Sequence, residues 1–299
     1  MEKDERLYKN ELPKVIKTII DTDPKTCWLD ADLSGCSGVK VNFGDSDRYI
    51  NCGVSEANMA GIAAGMASVG MKPYAHTFGC FASRRMFDQV FLSAGYADNP
   101  ITVVGTDPGI TAAFNGGTHM PFEDTALYRT IPNAIICDCT DIPMMNSFLT
   151  QAKDLPGVKY LRMGRKDSIK IYDDDQKFEI GHGQVLKEGS RAVVIASGIM
   201  VAEALKVDDV TVIDPFTIKP LDVDLIREYA KKQDKVVVAE NHNKIGGLVS
   251  AVAEALVGIE CKFGYVAVED EYGEVGPLDY LKERFDLTSD HIDRVVKEL

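Results

Sequence analysis

Apolar residues recur at helical spacing from Leu7 to Thr22, which predicts an amphipathic helix near the start of the chain. The next segment, CWLDADL, is a short apolar run ending in polar residues, the pattern of a buried parallel strand that stops at a loop. Glu56 to Val69 (EANMAGIAAGMASV) is rich in Ala, Met and Gly and predicts a closely packed helix. PYAHTF and PITVVGTD then read as strands, with a helix expected between them over Arg85 to Gly95. Ala134 to Asp138 gives a strand, Ile142 to Leu155 a helix, and VKYLRM a further strand. Such alternation predicts a parallel sheet covered by helices on both faces.

The pattern breaks at KDSIKIYDDDQKFEIGHGQVLKEG, a polar stretch with an Asp triplet that reads as a linker with a small hairpin. Beyond it AVVIASG, VTVIDP and KVVVAEN are compact strands, each stopping at a Gly, Pro or Asn. GGLVSAVAEAL reads as a helix opening on two glycines, followed by the strand FGYVAVED and an amphipathic C-terminus. The expected fold class is therefore α/β, with a second and smaller α/β domain after the linker.

Composition narrows the function classes. The chain has 33 Lys+Arg against 46 Asp+Glu, a formal charge of −13, which argues against nucleic acid or an anionic membrane as the main ligand. No run approaches the roughly 20 apolar residues of a membrane span. The charged start MEKDERLYKNELPK lacks the apolar core of a signal peptide. Seven cysteines (Cys27, Cys36, Cys52, Cys80, Cys137, Cys139, Cys261) include no CxxC pair. An odd, scattered set fits reduced thiols in a cytoplasmic protein, not zinc or a disulfide framework.

RYINCGVSEANMAGIAAGMASVG carries the most chemistry: a strand, a glycine turn, then a helix with Glu56 in its first turn. A carboxylate there has a plain electrostatic use, because it complements the helix dipole and caps free amides. Its surroundings say more. The stretch resembles the G-[IV]-x-E-x-x-M-x-x-x-A-x-G-[ML]-A signature of the transketolase and deoxyxylulose-phosphate synthase family. LDADLSG, HTFGCFASRRMFDQ, FNGGTHMPFEDTALYRTIPN, VKYLRMGRK and ENHNKIGGLVSAVAEAL resemble further family segments in the family's order. The resemblance spans residues 1–299 and is to the C-terminal (beta-type) subunit of a split transketolase. The Gly-Asp-Gly motif that holds the cofactor's diphosphate and metal in that family does not occur in the sequence.

The resemblance implies a pyrimidine-binding domain over residues 1–168, a linker over 169–182 and a transketolase C-terminal domain over 183–299. It implies thiamine diphosphate as cofactor, with Mg2+ or Ca2+ held by a separate diphosphate-binding subunit. It implies a dimer of this chain within a heterotetramer, and transfer of a two-carbon ketol unit from a ketose to an aldose. Glu56 would be catalytic, hydrogen-bonding the aminopyrimidine nitrogen. Phe78 and Phe81 would line the pyrimidine pocket, although two phenylalanines near a strand end also suit a core. His119 would face the reaction centre. Arg165 matches a family arginine that binds substrate phosphate, and Arg162 is near enough to leave that choice open. His76 is either a satisfied structural histidine or a residue of the substrate channel; His182, His242 and His291 read as structural or exposed.

Three departures concern substrate. Asp107 stands where the family has a phosphate-binding histidine, Asn115 where it has an acidic residue that contacts a donor hydroxyl, and Cys36 where many members have Ser. With Arg165 they form the expected substrate-binding set, and they point to an unusual sugar. Two alternatives carry different chemistry: the beta subunit of another thiamine enzyme (deoxyxylulose-phosphate synthase-like or 2-oxo-acid dehydrogenase-like), or a non-catalytic binding module. The loop THMPFED fits transketolase better than the dehydrogenase subunit, and Glu56, His119 and the phenylalanines count against a module without catalysis.

Overall fold

The structure, a computed structural model, describes residues 3–43 and 46–299. In chain order its strands are β1 (Lys3–Leu7), β2 (Thr26–Asp30), β3 (Tyr49–Asn51), β4 (Lys72–Phe78), β5 (Ile101–Thr106), β6 (Ile135–Asp138) and β7 (Val158–Met163). There follow β8 (Asp167–Ile169), β9 (Gln184–Lys187), β10 (Val193–Ala196), β11 (Thr211–Asp214), β12 (Lys235–Asn243) and β13 (Lys262–Val268). Six strands form an all-parallel sheet in the order β3-β2-β4-β5-β7-β6. A second sheet has the order β13-β12-β10-β11-β9, with β9 antiparallel to β11.

Side-chain alternation explains why the first sheet is covered twice. Cys27 and Leu29 of β2 point to one face, against Met59, Ala60 and Ala63 of the helix Glu56–Ser68. Trp28 points to the other, against Leu12, Ile16 and Ile20 of the helix Tyr8–Thr22 and Phe148 of the helix Ile142–Ala152. The apolar side chains of the second sheet continue the first core: Val193, Ile195 and Ile213 belong to the same cluster as Leu29 and Ile136. Backbone hydrogen bonds from Ile136 N to Lys219 O and from Ile218 N to Ile136 O join the two units directly.

Two expectations are corrected. The helix expected over Arg85 to Gly95 is broken: Gly79–Arg84 is one short helix, Phe87–Gln89 a single turn, and Val90–Tyr96 a π-helix. The wide π turn brings Gly95 so close to Ile131 that a Cβ would collide. The hairpin expected in the linker does not form either. β8 pairs with β1, and β9 pairs with β11 of the second sheet. Between them Tyr172 and Phe178 are buried, Tyr172 packing on Phe178 and Phe178 on Phe216, so burial in the interdomain core prevails over local pairing. No helix among the described residues is long and apolar enough to cross a membrane.

Candidate functional site

Parallel strands deliver their carboxyl ends, and the loops that follow them, to one edge of a sheet, where α/β proteins bind ligands. β3 leads through Gly53, at φ 73°, to the helix whose first turn holds Glu56. Glu56 is 3% exposed. Its side-chain partner is Arg85, whose Nη1 donates to Oε2 at 3.5 Å. Arg85 caps the helix Gly79–Arg84 that follows β4, and its guanidinium carbon lies 4.4 Å from the centroid of the Phe81 ring. Phe78 closes β4, with its ring 6.2 Å from that of Phe81.

His119 sits in the short turn Gly117–His119 and meets both rings edge-on, at 5.3 Å from Phe81 and 6.1 Å from Phe78. Its Nδ1 is 2.9 Å from Thr118 Oγ1. The loop is steadied by Arg84, whose Nη2 donates to Thr118 O at 2.8 Å and whose Nε lies 3.2 Å from Glu123. Glu56, Phe78, Phe81 and His119, read separately from three segments, are thus brought together.

Asp107 immediately follows β5 and Arg165 lies just after β7. Arg165 Nε donates to Asp107 Oδ1 at 3.2 Å, and Nη2 lies 2.9 Å from Oδ2. The same guanidinium lies 5.4 Å from the Phe78 centroid, which connects this pair to the aromatic group. Burial pushes the Asp107 carboxyl above its ordinary range, while Arg165 pulls it back. The 2.9 Å approach to Oδ2 is a charge contact only: that oxygen is buried and lacks a well-aligned hydrogen-bond donor. Asp107 is also one of the non-glycine residues at positive φ (59°), a backbone conformation that such residues rarely adopt.

Arg162, the other arginine left open by the sequence, lies in the core instead. Its Nε donates to Asp124, its Nη1 to Asp138 at 3.1 Å and its Nη2 to Asn241 O at 2.6 Å. His76 is buried, with Nδ1 3.1 Å from Asp30 Oδ2 and the ring stacked on Trp28, so it is a structural histidine. His242 is buried, and His182 is exposed. Two candidates make no side-chain hydrogen bond to the cluster among the described residues. Asn115 is exposed beside Phe114, and Cys36 is half-buried in the short helix Ser34–Ser37 after β2.

The second unit reaches into this edge. Asn241 of β12 accepts from Ile110 N at 3.0 Å and donates from Nδ2 to Pro108 O at 3.0 Å, clamping the turn after Asp107. Gly109 presses on Asn241, and Gly117 on the Gly273 carbonyl, so closely that a Cβ at either position would collide. Arg85, Arg84 and Asn241 were not among the residues singled out from the sequence. Arg85 had one local signal, its place four residues after Phe81 at helical spacing. Asn241 had none.

Two family descriptions match the chain: "Transketolase, pyrimidine binding domain" over residues 7–168 and "Transketolase, C-terminal domain" over residues 181–292. The chain belongs to the transketolase family. It is 42% identical, over 93% of its length and 89% of the relative's, to the 6-deoxy-6-sulfo-D-fructose transketolase subunit SqwH of Clostridium sp. (strain MSTE9). A putative transketolase C-terminal section from Methanocaldococcus jannaschii is 34% identical, over 90% of this chain and 89% of that one. A solved structure described as "Split gene transketolase, inactive beta4 tetramer" superposes with a TM-score of 0.88 at 32% identity, covering 98% of each chain. In transketolase terms, the six-stranded sheet is the pyrimidine-binding domain and the five-stranded sheet the C-terminal domain. The residues fit the planar end of the family's cofactor: a buried carboxylate beside aromatic rings at a sheet's carboxyl edge.

Proposed function

We propose that this chain is the pyrimidine-binding subunit of a two-chain transketolase that moves a two-carbon ketol unit from a ketose to an aldose. One observation carries the reading: Glu56, Phe78, Phe81 and His119 converge at the carboxyl edge of a parallel sheet, with Phe81 and His119 rings 5.3 Å apart. Thiamine diphosphate, when bound, would supply the carbanion chemistry. Glu56 would share a proton with the aminopyrimidine ring nitrogen. Phe81 would stack on that ring and Phe78 would wall the pocket. His119, held by Thr118 and the aromatic edges, would hydrogen-bond the sugar at its reacting end. The diphosphate and a Mg2+ or Ca2+ ion belong, on this reading, to a second subunit carrying the Gly-Asp-Gly motif. Two copies of each chain would form the assembly. Support comes from the relatives, which are named as a transketolase subunit and as a C-terminal section.

The substrate's far end is assigned to Arg165 and Asp107, and further substrate contacts to Cys36 and Asn115. An arginine already paired with a carboxylate offers little net charge to a phosphate dianion. The Clostridium relative is named for a ketose with a sulfo group in place of a 6-hydroxyl. Both facts favour a ketose whose far end is not a phosphate ester. The reading is tested by combining the chain with its diphosphate-binding partner and assaying ketose consumption with thiamine diphosphate, Mg2+ and an aldose acceptor. Turnover requiring both chains is expected; no turnover of any ketose, phosphorylated, sulfonated or neutral, would overturn it.

A further inference from the structure

The reading above uses Glu56 and Phe81 but leaves out the side chain that touches both. Arg85 Nη1 lies 3.5 Å from Glu56 Oε2, and the guanidinium carbon lies 4.4 Å from the Phe81 centroid. Glu56 is 3% exposed, whereas the Arg85 side chain is 54% exposed. The arginine therefore approaches the buried carboxylate from the solvent side, along the face of the ring. Glu56 Oε1 has no side-chain hydrogen bond among the described residues.

We infer that Arg85 is a positioning residue for the pyrimidine site. It fixes one oxygen of Glu56 and one face of Phe81, and so aims the other oxygen and the other face at a planar nitrogen heterocycle. A glutamate carboxylate sits on three side-chain torsions and rotates unless a partner holds it, and a guanidinium is suited to the task. Its planar fork can donate in-plane to a carboxylate while its face lies on an aromatic ring. A lysine supplies the charge but neither the fork nor the flat face. This role rests on the assignment of Glu56 and Phe81 to the aminopyrimidine, and it adds a residue that acts through them.

The test is calorimetric titration of the chain assembled with its diphosphate-binding partner, using thiamine diphosphate and Mg2+. Arg85→Met is expected to weaken cofactor binding about tenfold, and Arg85→Lys to recover part of that loss. In a Glu56→Gln background, Arg85→Met should have a much smaller effect, because the group it positions has changed. The KM for the ketose should stay unchanged, which a general loss of packing would not produce. Thermal melts of the full-length variants report folding, and Arg85→Lys remains interpretable if Arg85→Met folds poorly. Wild-type binding with Arg85→Met and Arg85→Lys both within twofold of it would overturn the role of Arg85 alone. No cofactor binding by the wild-type assembly would overturn the reading of the whole site, a result distinguishable from the first.

Discussion

Glu56 joins three properties at one atom group: almost complete burial, a position in the first turn of a helix, and a single cationic partner. Glu56→Gln keeps the volume and the fold but cannot share a ring-nitrogen proton, so turnover should fall by several orders of magnitude. Retention of more than about a tenth of the wild-type rate in steady-state assays would contradict the assignment. Asp107 is the residue whose meaning the structure changes most. As a bare carboxylate about 5 Å from a phosphate it would cost roughly 3 kcal/mol per like-charge pair at an effective dielectric near 20. Its pairing with Arg165 and its burial reduce that repulsion, yet they also occupy the arginine a phosphate needs. Asp107→His frees Arg165 and should raise kcat/KM toward xylulose 5-phosphate, by about tenfold if one charge-assisted hydrogen bond is gained. Efficient wild-type use of that sugar, unimproved by the substitution, would show that the phosphate is bound elsewhere. Single residues stand out where a motif fixes their neighbours, as with Glu56 and His119, and the structure places His119 beside Phe78 and Phe81. Arg85 and Asn241 escape a reading of the sequence because their contacts are tertiary, and spacing cannot distinguish the fully buried ion pairs of Arg162 from the half-buried pair of Arg165 three residues away.

The strands of the two sheet cores proved readable, whereas the connections and the short strand β1 did not, for a physical reason. A strand buried on both faces declares itself by an unbroken apolar run, as in the VVIA of β10, whereas a connection is shaped by what it packs against. The π turn over Val90–Tyr96 and the splitting of β8 from β9 both follow from contacts made at long range. In the linker, Tyr172 donates to Asp214 Oδ2 at 3.0 Å and Thr140 donates to the same oxygen at 2.6 Å. Burial nevertheless pushes the Asp214 carboxyl up to about 7. The folded chain then holds a proton there, between about pH 4 and pH 7, that the unfolded chain has released. Stability from this group is therefore highest at the acid end of that window and falls as pH rises through it. Asp214→Asn should flatten the fall between about pH 5 and pH 7 in urea unfolding; a slope equal to the wild type's would refute the assignment. Arg162 tests β7 in a second way. Arg162→Met leaves Asp124 and Asp138 buried without their cation, at an expected cost of about 3–5 kcal/mol by urea denaturation. A loss below about 1 kcal/mol would mean that the carboxylates find other partners.

At the scale of the whole molecule, on the proposed reading, the chain offers the pyrimidine half of a cofactor site and depends on a partner for the rest. The isolated chain should therefore bind thiamine diphosphate only weakly and transfer nothing; micromolar binding to this chain alone in calorimetry would refute the division of the site. The two domains were legible as alternating strand and helix signals, but their mutual dependence was not. The turn after Asp107 is held by Asn241, and the loop before His119 lies against Gly273, so the second domain sets the shape of loops that belong to the first. This has a consequence for anyone shuffling parts between related enzymes. A crossover placed in the linker would look conservative, yet it would pair one parent's substrate loop with another parent's mould. Chimeras should keep their specificity only when the donor of the second half also supplies the asparagine and the glycine that grip that loop.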